Sequence, residues 1–572
     1  PASSQCVSGG SCRPGVIRIK PRGKLMFKKS LRIFALIVAA SLVTLSAGCS
    51  AKLDLAPYQS QVLSWGECDS SLMKKDTQSE VFKSSTVTCA SILVPALYTG
   101  FDKGKDYKIQ MMRIHKASEA DFMGTIFINP GGPGGSGIEQ LQWSNFPEDL
   151  LAHYDIIGFD PRGVGASKFS DGTEIKCSDE LDFVSYFEGE GSASSLAEVK
   201  SGIAASDKYY TDCVKRNPLW WTMSTDHVVD DLELMRRVVT GEKDLNFIGT
   251  SYGTTIAGFY VTKYPTHVGK IVLDSPTTVD SDPIKSAVED SKGMEEKLTT
   301  YLTAYAAHAG ITFDEAWKRL LSYRQAADDD ELIGYAGYVE SEKYPGYPMS
   351  SEALLTRGIL ALNYWPEADA IKYFNRAMDE LEKYGWNGNF EYSALNLDGY
   401  DANTLEGKTL ADKKLVRSNQ FEVMTIVNSM DYAPDDMSVE EQKDMGRQIR
   451  AVAPMWTALG EDASGYEYYG PSLGLDWAEI ARNDWTIPDP PKTPLVRTNT
   501  SGKPLLIIGS LNESVTPFAF AKDTARLLKS PLISVESSVH GPAAGYDIPC
   551  LNNVLIEYFV SDKKVESQTC SK

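Results

Sequence analysis

Short β-rich runs alternate with helical patterns through much of the chain, and this alternation restricts the possible folds more than any other feature. Such a sequence is typical of an α/β domain in which helices cover both faces of a mostly parallel sheet. Two extended segments, Ser91–Pro95 and Lys108–His115, come first. The β-rich runs are Thr125–Asn129, Asp155–Phe159, Leu245–Gly249, Lys270–Leu273, Leu505–Ile508 and Leu532–Val535.

The stretch from 277 to 490 breaks the alternation. It holds no strand-like run of comparable quality and reads instead as amphipathic helices. These helical patterns are Ser286–Ala307, Ser351–Leu362, Glu367–Tyr384 and Glu440–Ala451. We therefore predict a large helical cap at 277–490, inserted between two parts of one α/β core at 106–276 and 491–572. An N-terminal segment at 49–105 precedes the core.

The first fifty residues resemble an export signal. Residues 1–25 precede Met26, and we expect them to be an upstream extension outside the mature protein. A basic start, an apolar run too short to span a bilayer comfortably and a small-residue site predict a signal peptide at 26–48. Ser46-Ala47-Gly48-Cys49 resembles a bacterial lipobox, although Ser46 stands where an apolar residue is usual. We expect either a lipoprotein anchored through Cys49 on the outer face of the cell membrane or a secreted protein.

The cysteines agree with an oxidising compartment. When Cys6, Cys12 and Cys49 are set aside, six cysteines remain, and six cysteines allow 15 pairings. Proximity in the sequence favours three local couples. No CxxC spacing and no histidine cluster accompany them, so we expect neither a zinc site nor a cofactor. The couples are Cys68–Cys89, Cys177–Cys213 and Cys550–Cys570.

The charge is strongly acidic. Eight of the 57 Lys and Arg residues lie in 1–48, and none of the 77 Asp and Glu residues do, so the remainder has a formal net charge of −28. Such a body repels nucleic acid and anionic lipid, which leaves the N-terminal lipid as the expected membrane contact. It can attract peptides with free amino groups. The alternative is that the charge only solvates the surface.

A serine lies between a strand and a helix in Gly249-Thr250-Ser251-Tyr252-Gly253. A nucleophile elbow needs this context, because a sharp strand-to-helix turn holds the serine in a strained conformation and flanking glycines prevent collisions. The turn places the hydroxyl at a helix N-terminus, where backbone N–H groups favour negative charge. We predict that Ser251 is a nucleophile.

A glycine-rich loop, Asn129-Pro130-Gly131-Gly132-Pro133-Gly134-Gly135-Ser136-Gly137, follows the first strong strand. It can bring a backbone N–H against a carbonyl oxygen, and we predict an oxyanion hole formed by the amides of Gly132 and Tyr252. The same loop contains GxGxxG after a strand, with Asp160 at a later strand end. A dinucleotide site is therefore the alternative.

The base and the acid are expected after the late strands. His540 is the one histidine there, and Glu513 is the carboxylate of the loop that follows Leu505–Ile508. A carboxylate must hold the imidazole tautomer and stabilise the imidazolium. Asp274, at the end of Lys270–Leu273, is the alternative acid.

Five motifs in this order resemble the secreted tripeptidyl and prolyl aminopeptidases of the α/β-hydrolase class. Besides the glycine loop and the elbow, they are Phe-Asp-Pro-Arg-Gly-Val-Gly-Ala-Ser (159–167), Val-Leu-Asp (272–274) and Val-Thr-Pro (515–517). The likeness runs from about Cys68 to Cys570 and is thin in the cap. It implies the α/β-hydrolase fold, with helices on both faces of the sheet and a large helical cap.

The resemblance also implies roles for individual residues. Ser251 would attack a peptide carbonyl and His540 would transfer the proton, with an acid two residues before Val-Thr-Pro. Relatives have aspartate in that slot, which holds Glu513 here, and Thr516 matches a threonine that supports the acid. Another departure is Ser429-Met430-Asp431, where relatives often have cysteine in place of Ser429, so a cap disulfide is not expected.

Three functions follow from these residues. The first is an aminopeptidase that releases dipeptides, tripeptides or N-terminal proline, because a cap with carboxylates can close one end of the cleft and pair a substrate ammonium group. The second is a carboxylesterase acting on small or lipid esters, since the same triad cleaves esters. The third is a surface binding protein with a retired hydrolase fold.

Overall fold

The computed structural model describes most of the chain after the N-terminal fifty residues. The described residues are 53–74, 78–98, 105–116, 118, 120–177, 208–209, 211–278, 283–328, 352–385, 390, 393, 418–431, 439–460, 498–561 and 563–571. The signal peptide and the lipid anchor Cys49 predicted above lie outside them. Among the helices described, none combines the length and apolar character needed to cross a bilayer.

A mostly parallel sheet, with ten strands among the described residues, forms the centre of the molecule. Its order is β1-β2-β4-β3-β6-β7-β8-β9-β10, and β5 pairs with β2. β2 pairs antiparallel with β1, β4 and β5 at one end of the sheet. The pairs among β3, β4 and the strands β6 to β10 are parallel. The strands are β1 Thr86–Val94, β2 Tyr107–His115, β3 Gly124–Asn129, β4 Tyr154–Phe159, β5 Lys168–Phe169, β6 Leu245–Thr250, β7 Val268–Asp274, β8 Leu506–Ser510, β9 Leu532–Val535 and β10 Gln568–Cys570.

Helices surround the sheet and fill the insertion. Those before the insertion are α1 Ala56–Gln59, α2 Glu80–Lys83, α3 Gly137–Trp143, α4 Glu148–Leu151, α5 Thr225–Met235 and α6 Tyr252–Lys263. The insertion contributes α7 Pro283–Ala309, α8 Phe313–Asp328, α9 Glu352–Ala361, α10 Glu367–Tyr384, α11 Gln420–Asp431, α12 Val439–Val452 and α13 Pro454–Gly460. The helices after the insertion are α14 Phe518–Leu528, α15 Pro542–Gly545 and α16 Pro549–Phe559.

Two apolar clusters cover the two faces of the sheet. Along β3, Ile126 and Ile128 belong to one cluster and Phe127 to the other, because successive strand side chains point to opposite faces. Helices α5, α6 and α14 pack on the Phe127 face, and α3, α4 and α16 pack on the other. The predicted fold class is confirmed. Seven of the eight predicted strands are longer than predicted, and the short strands β5 and β10 were not predicted.

The insertion is helical throughout its described residues. Helices α7 to α10 share one apolar cluster with α13, which includes Leu298, Tyr301 and Phe374. Helix α11 differs, because Phe421, Ile426 and the neighbouring apolar residues pack into the cluster on the Phe127 face of the sheet. One helix of the insertion is therefore part of the core. The predicted domain boundaries remain predictions.

Three disulfide bonds lie within the described residues. They join Cys68 to Cys89, Cys177 to Cys213 and Cys550 to Cys570, which is the pairing that sequence proximity favoured. Disulfides of this kind form and persist in oxidising compartments.

Candidate active site

Ser251 occupies the sharp turn between β6 and α6. Its φ is 57° and its ψ is −127°, a strained conformation for a residue with a side chain. Gly249 and Gly253 make the turn possible, because a Cβ atom at Gly249 would lie 2.3 Å from the carbonyl oxygen of Gly253. The half-buried serine therefore stands at the N-terminus of a twelve-residue helix, as an attacking hydroxyl requires.

The glycine-rich loop lies directly against this turn. A Cβ atom at Gly131 would come within 2.8 Å of the Tyr252 amide nitrogen and 2.9 Å of the Ser251 Cβ, so no other residue fits there. The loop carrying Gly132 is thereby brought against the amide of Tyr252. Among the described residues, the Gly132 amide has no hydrogen-bond acceptor. This arrangement suits the pair of oxyanion donors predicted from the sequence.

The dinucleotide alternative does not fit the structure. A pyrophosphate needs open space over the glycine loop, but the backbone of Gln420 in α11 fills it: a Cβ at Gly134 would lie 2.4 Å from the Gln420 carbonyl oxygen. Asp160 is fully buried and accepts a hydrogen bond of 2.5 Å from the Ser136 hydroxyl, so it faces no ribose. The GxGxxG spacing here is a consequence of close backbone packing.

His540 and Glu513 form a hydrogen-bonded pair at the ends of β9 and β8. The imidazole Nδ1 contacts the Glu513 Oε1, and the carboxylate side chain has no exposed surface. Thr516 donates to the same oxygen from its amide at 3.2 Å and from its hydroxyl at 2.7 Å. Ser275 donates to Oε2 at 2.7 Å. A carboxylate held by these donors can fix the orientation of the histidine.

The histidine loop also contacts the nucleophile turn. A Cβ atom at Gly541 would lie 2.6 Å from the Thr250 Cγ2, so the residue after His540 touches the residue before Ser251. From the cap, the Tyr364 ring stands edge-on to the imidazole with ring centres 5.5 Å apart and an interplanar angle of 82°. The loops that carry Ser251, Glu513 and His540 therefore meet at the carboxyl ends of β6, β8 and β9, beneath a residue of the cap.

Asp274, the alternative acid, is placed elsewhere. Its Oδ2 accepts a hydrogen bond of 2.9 Å from the Ala543 amide, and its carbonyl oxygen accepts one of 3.0 Å from the Ser251 amide. Burial raises the pKa of this carboxyl well above its usual range, and the nearby Glu513 charge raises the pKa further. Glu513, and not Asp274, contacts the imidazole, whereas Asp274 links the Ser251 turn to the loop that follows His540.

Two residues at the site were not identified from the sequence. Ser275 donates to Glu513, and Tyr364 reaches His540 from a short 3₁₀ turn in the cap. A serine after Val-Leu-Asp has no local signal of its own. Tyr364 is one of 28 tyrosines, and its role depends on how the cap packs on the core.

Asp160 holds the glycine loop and leads to a pH-dependent prediction. Its carboxylate accepts hydrogen bonds from Ser136, Ile138 and Ala166, yet burial raises its pKa from 3.8 to about 6. Because the folded-state pKa lies above the unfolded one, this group's stabilising contribution is complete below about pH 4 and is lost as the pH rises through about 6.

We expect Asp160→Asn to remove the pH-dependent contribution of this carboxyl group to the unfolding free energy. Between about pH 4.5 and about pH 7.5 the wild type should lose about 2 kcal/mol of unfolding free energy relative to the variant. Chemical denaturation of both proteins at the two pH values measures the difference. Identical pH dependence in the two proteins would contradict the assignment to Asp160.

Comparisons with known proteins agree with this geometry. A family model described as alpha/beta hydrolase fold matches residues 124–378, and one described as TAP-like protein matches 472–570. Tripeptidyl aminopeptidase from Streptomyces lividans is 30% identical over 271 residues, which cover 44% of this chain and 48% of that protein. The match thus spans about half the length of this relative.

Two mycobacterial proteins match over more of their length. Serine protease Hip1 from Mycobacterium tuberculosis is 24% identical over 567 residues, covering 95% of this chain and 98% of that protein. Carboxylesterase B from the same organism is 24% identical over 511 residues, covering 88% of this chain and 89% of that protein. The relatives therefore include both peptidases and an esterase.

Proposed function

Because the chain belongs to the α/β-hydrolase family of serine hydrolases, we propose that it is an exported exopeptidase that releases dipeptides, tripeptides or N-terminal proline from peptides. The observation that carries the proposal is the buried Glu513–His540 pair, whose loops meet the strained turn of Ser251. The two relatives named as peptidases support peptide bonds as the target.

The chemistry would follow the serine hydrolase sequence. His540 takes the proton of the Ser251 hydroxyl as the oxygen attacks the substrate carbonyl, and Glu513 stabilises the imidazolium that forms. The amides of Gly132 and Tyr252 would bind the oxyanion. His540 then protonates the departing amine. In the second half of the reaction His540 takes a proton from water as the water attacks the acyl-enzyme, and it returns that proton to the Ser251 oxygen as the acid product leaves.

The cap supports exopeptidase action. Tyr364 closes one side of His540, and a Cβ atom at Gly293 in α7 would lie 3.1 Å from the Ser514 Cα, so the cap packs closely on the acid loop. A substrate ammonium group buried in such a cleft requires a carboxylate partner. We therefore propose peptides with a free amino terminus as substrates, with no role for nucleic acid.

Export is supported by the three disulfide bonds, which are typical of proteins from oxidising compartments. The signal-like sequence at 26–48 adds to this argument. We propose attachment to the outer face of the membrane through a lipid on Cys49, and release of the protein without the lipid is the alternative.

The test compares chromogenic peptides with free and acetylated amino ends. We expect acetylation to lower kcat/KM at least about 100-fold, because the buried ammonium contact contributes at least ~3 kcal/mol to transition-state binding. A peptide elongated at the carboxyl end should be cleaved as well as a short one. Equal turnover of free and blocked substrates would exclude the exopeptidase function.

A carboxylesterase is the second candidate, favoured by the match to carboxylesterase B over 88% of this chain. Rapid hydrolysis of short acyl esters without peptide cleavage would decide for it. A third candidate, the retired binding protein, predicts that a fluorophosphonate probe leaves Ser251 unlabelled.

A further inference from the structure

We propose that Ser275 is a positioning residue that fixes the acid and the histidine of the triad relative to each other. The inference rests on the proposed serine hydrolase chemistry and extends it to a residue outside the triad. Ser275 follows directly after β7 and has no exposed surface. It therefore sits between β6, which leads to Ser251, and β8, which leads to Glu513.

Each polar group of Ser275 binds a different part of the site. Its hydroxyl donates to the Glu513 Oε2 at 2.7 Å and accepts a hydrogen bond of 2.9 Å from the amide of Gly541, next to His540. Its amide donates to the Ile508 carbonyl in β8 at 2.9 Å. Its carbonyl oxygen lies 3.1 Å from the Thr516 hydroxyl. One buried residue thus links the acid loop to the histidine loop.

The hydroxyl has a specific task at the carboxylate. Oε1 of Glu513 is shared by His540 and Thr516, whereas, of the contacts that the structure describes, Oε2 receives one donor, Ser275. Without that donor the carboxylate loses one of its two anchors and can rotate about its last bond. A glutamate side chain has one more rotatable bond than an aspartate side chain, so it needs this anchor more.

The backbone of Ser275 is strained to make these contacts. Its φ is 51°, in the left-handed region that residues with a side chain rarely adopt. Glycine would occupy the same conformation without a steric cost, but it has no hydroxyl. The strained serine is therefore explained by the two hydrogen bonds of its side chain.

Ser275 combines an unfavourable backbone conformation with a hydroxyl that makes two hydrogen bonds, and two substitutions separate these effects. Ser275→Ala removes the hydroxyl and keeps the strain, whereas Ser275→Gly removes both. We expect both variants to lower kcat roughly 10- to 100-fold with KM changed less than about threefold, because the lost bond orients a charged group in the transition state. The glycine variant should unfold at a higher denaturant concentration than the alanine variant.

A matched control is Ser144→Ala, which removes a buried hydroxyl that bonds the Gln140 carbonyl oxygen at 2.7 Å in α3. Its kcat should equal that of the wild type. A glycine variant with wild-type kcat, or a kcat that follows stability across the three variants, would overturn the proposal and leave Ser275 a merely structural residue.

Failure of the proposed function can be distinguished from failure of this inference. Kinetics on an activated ester report the triad whether or not peptides are the substrates. A second measurement needs no substrate: in proton NMR, the downfield signal of the His540 Nδ1–H bonded to Glu513 should be present in the wild type and shifted or lost in both Ser275 variants. An unchanged signal in the variants would overturn the proposal even in an inactive protein.

Discussion

Ser251→Ala is expected to lower kcat roughly 10⁴- to 10⁶-fold, the largest effect of any single substitution in this protein. The hydroxyl oxygen forms the acyl-enzyme, and no neighbouring group can replace it. The residual rate reflects the oxyanion donors and substrate binding, which the variant retains. Stability should change little, because alanine at a φ of 57° carries the same backbone strain as serine.

The measurement is mass spectrometry of the fragments released from a short peptide library by the wild type and the variant. Labelling with a fluorophosphonate probe provides an independent check, since the probe reacts with an activated serine whatever the substrate. Ser144→Ala is again the control and should be labelled normally. A labelled Ser251→Ala variant would place the nucleophile elsewhere.

Glu513→Gln is expected to lower kcat roughly 10³- to 10⁴-fold while the protein remains folded. The amide is nearly isosteric with the carboxylate, but it carries no charge to stabilise the imidazolium and can hold the wrong tautomer of His540. The contacts of Thr516 and Ser275 with this side chain are partly preserved, so the unfolding free energy should change by about 1 to 2 kcal/mol.

Asp274→Asn is the matched comparison, because it also converts a buried carboxyl next to the triad into an amide. Burial favours the neutral form of Asp274, so the amide resembles its expected state and the effect on kcat should be milder. Steady-state kinetics of the two variants under one set of conditions provide the ranking. The reverse order, with Asp274→Asn the more damaging, would reassign the acid.

The candidate triad residues could be proposed from the sequence because their signals are local. Ser251 lies between a strand and a helix within a few residues, and the β-rich run Leu245–Gly249 followed by the GxSxG spacing marks the turn. Glu513 and His540 follow late strands, where an α/β-hydrolase carries its acid and base. Chain order and local context together were sufficient to propose these three residues.

Ser275 could not be predicted, because its role depends on two facts that a single sequence does not contain. One is that β7 and β8, far apart in the chain, are neighbours in the sheet. The other is the sign of φ at a serine, which residue type does not determine. Long-range pairing and backbone strain are properties of the folded chain.

Helix α11 was missed for a different reason. An amphipathic helix is recognisable by its one apolar face, whereas eight of the twelve residues of α11 are buried, including the polar Glu422 and Thr425. Helix α10 is the contrasting case. Its apolar residues lie on one face, and its predicted bounds, Glu367–Tyr384, equal the observed ones.

The pairing of β7 with β8 has a consequence for biosynthesis. The chain leaves the sheet at residue 275 and returns near residue 505, so the ribosome makes the nucleophile well before its base and acid. During that interval the growing polypeptide contains an elbow with nothing to deprotonate it. The proposed catalytic residues can meet only once the last strands have docked.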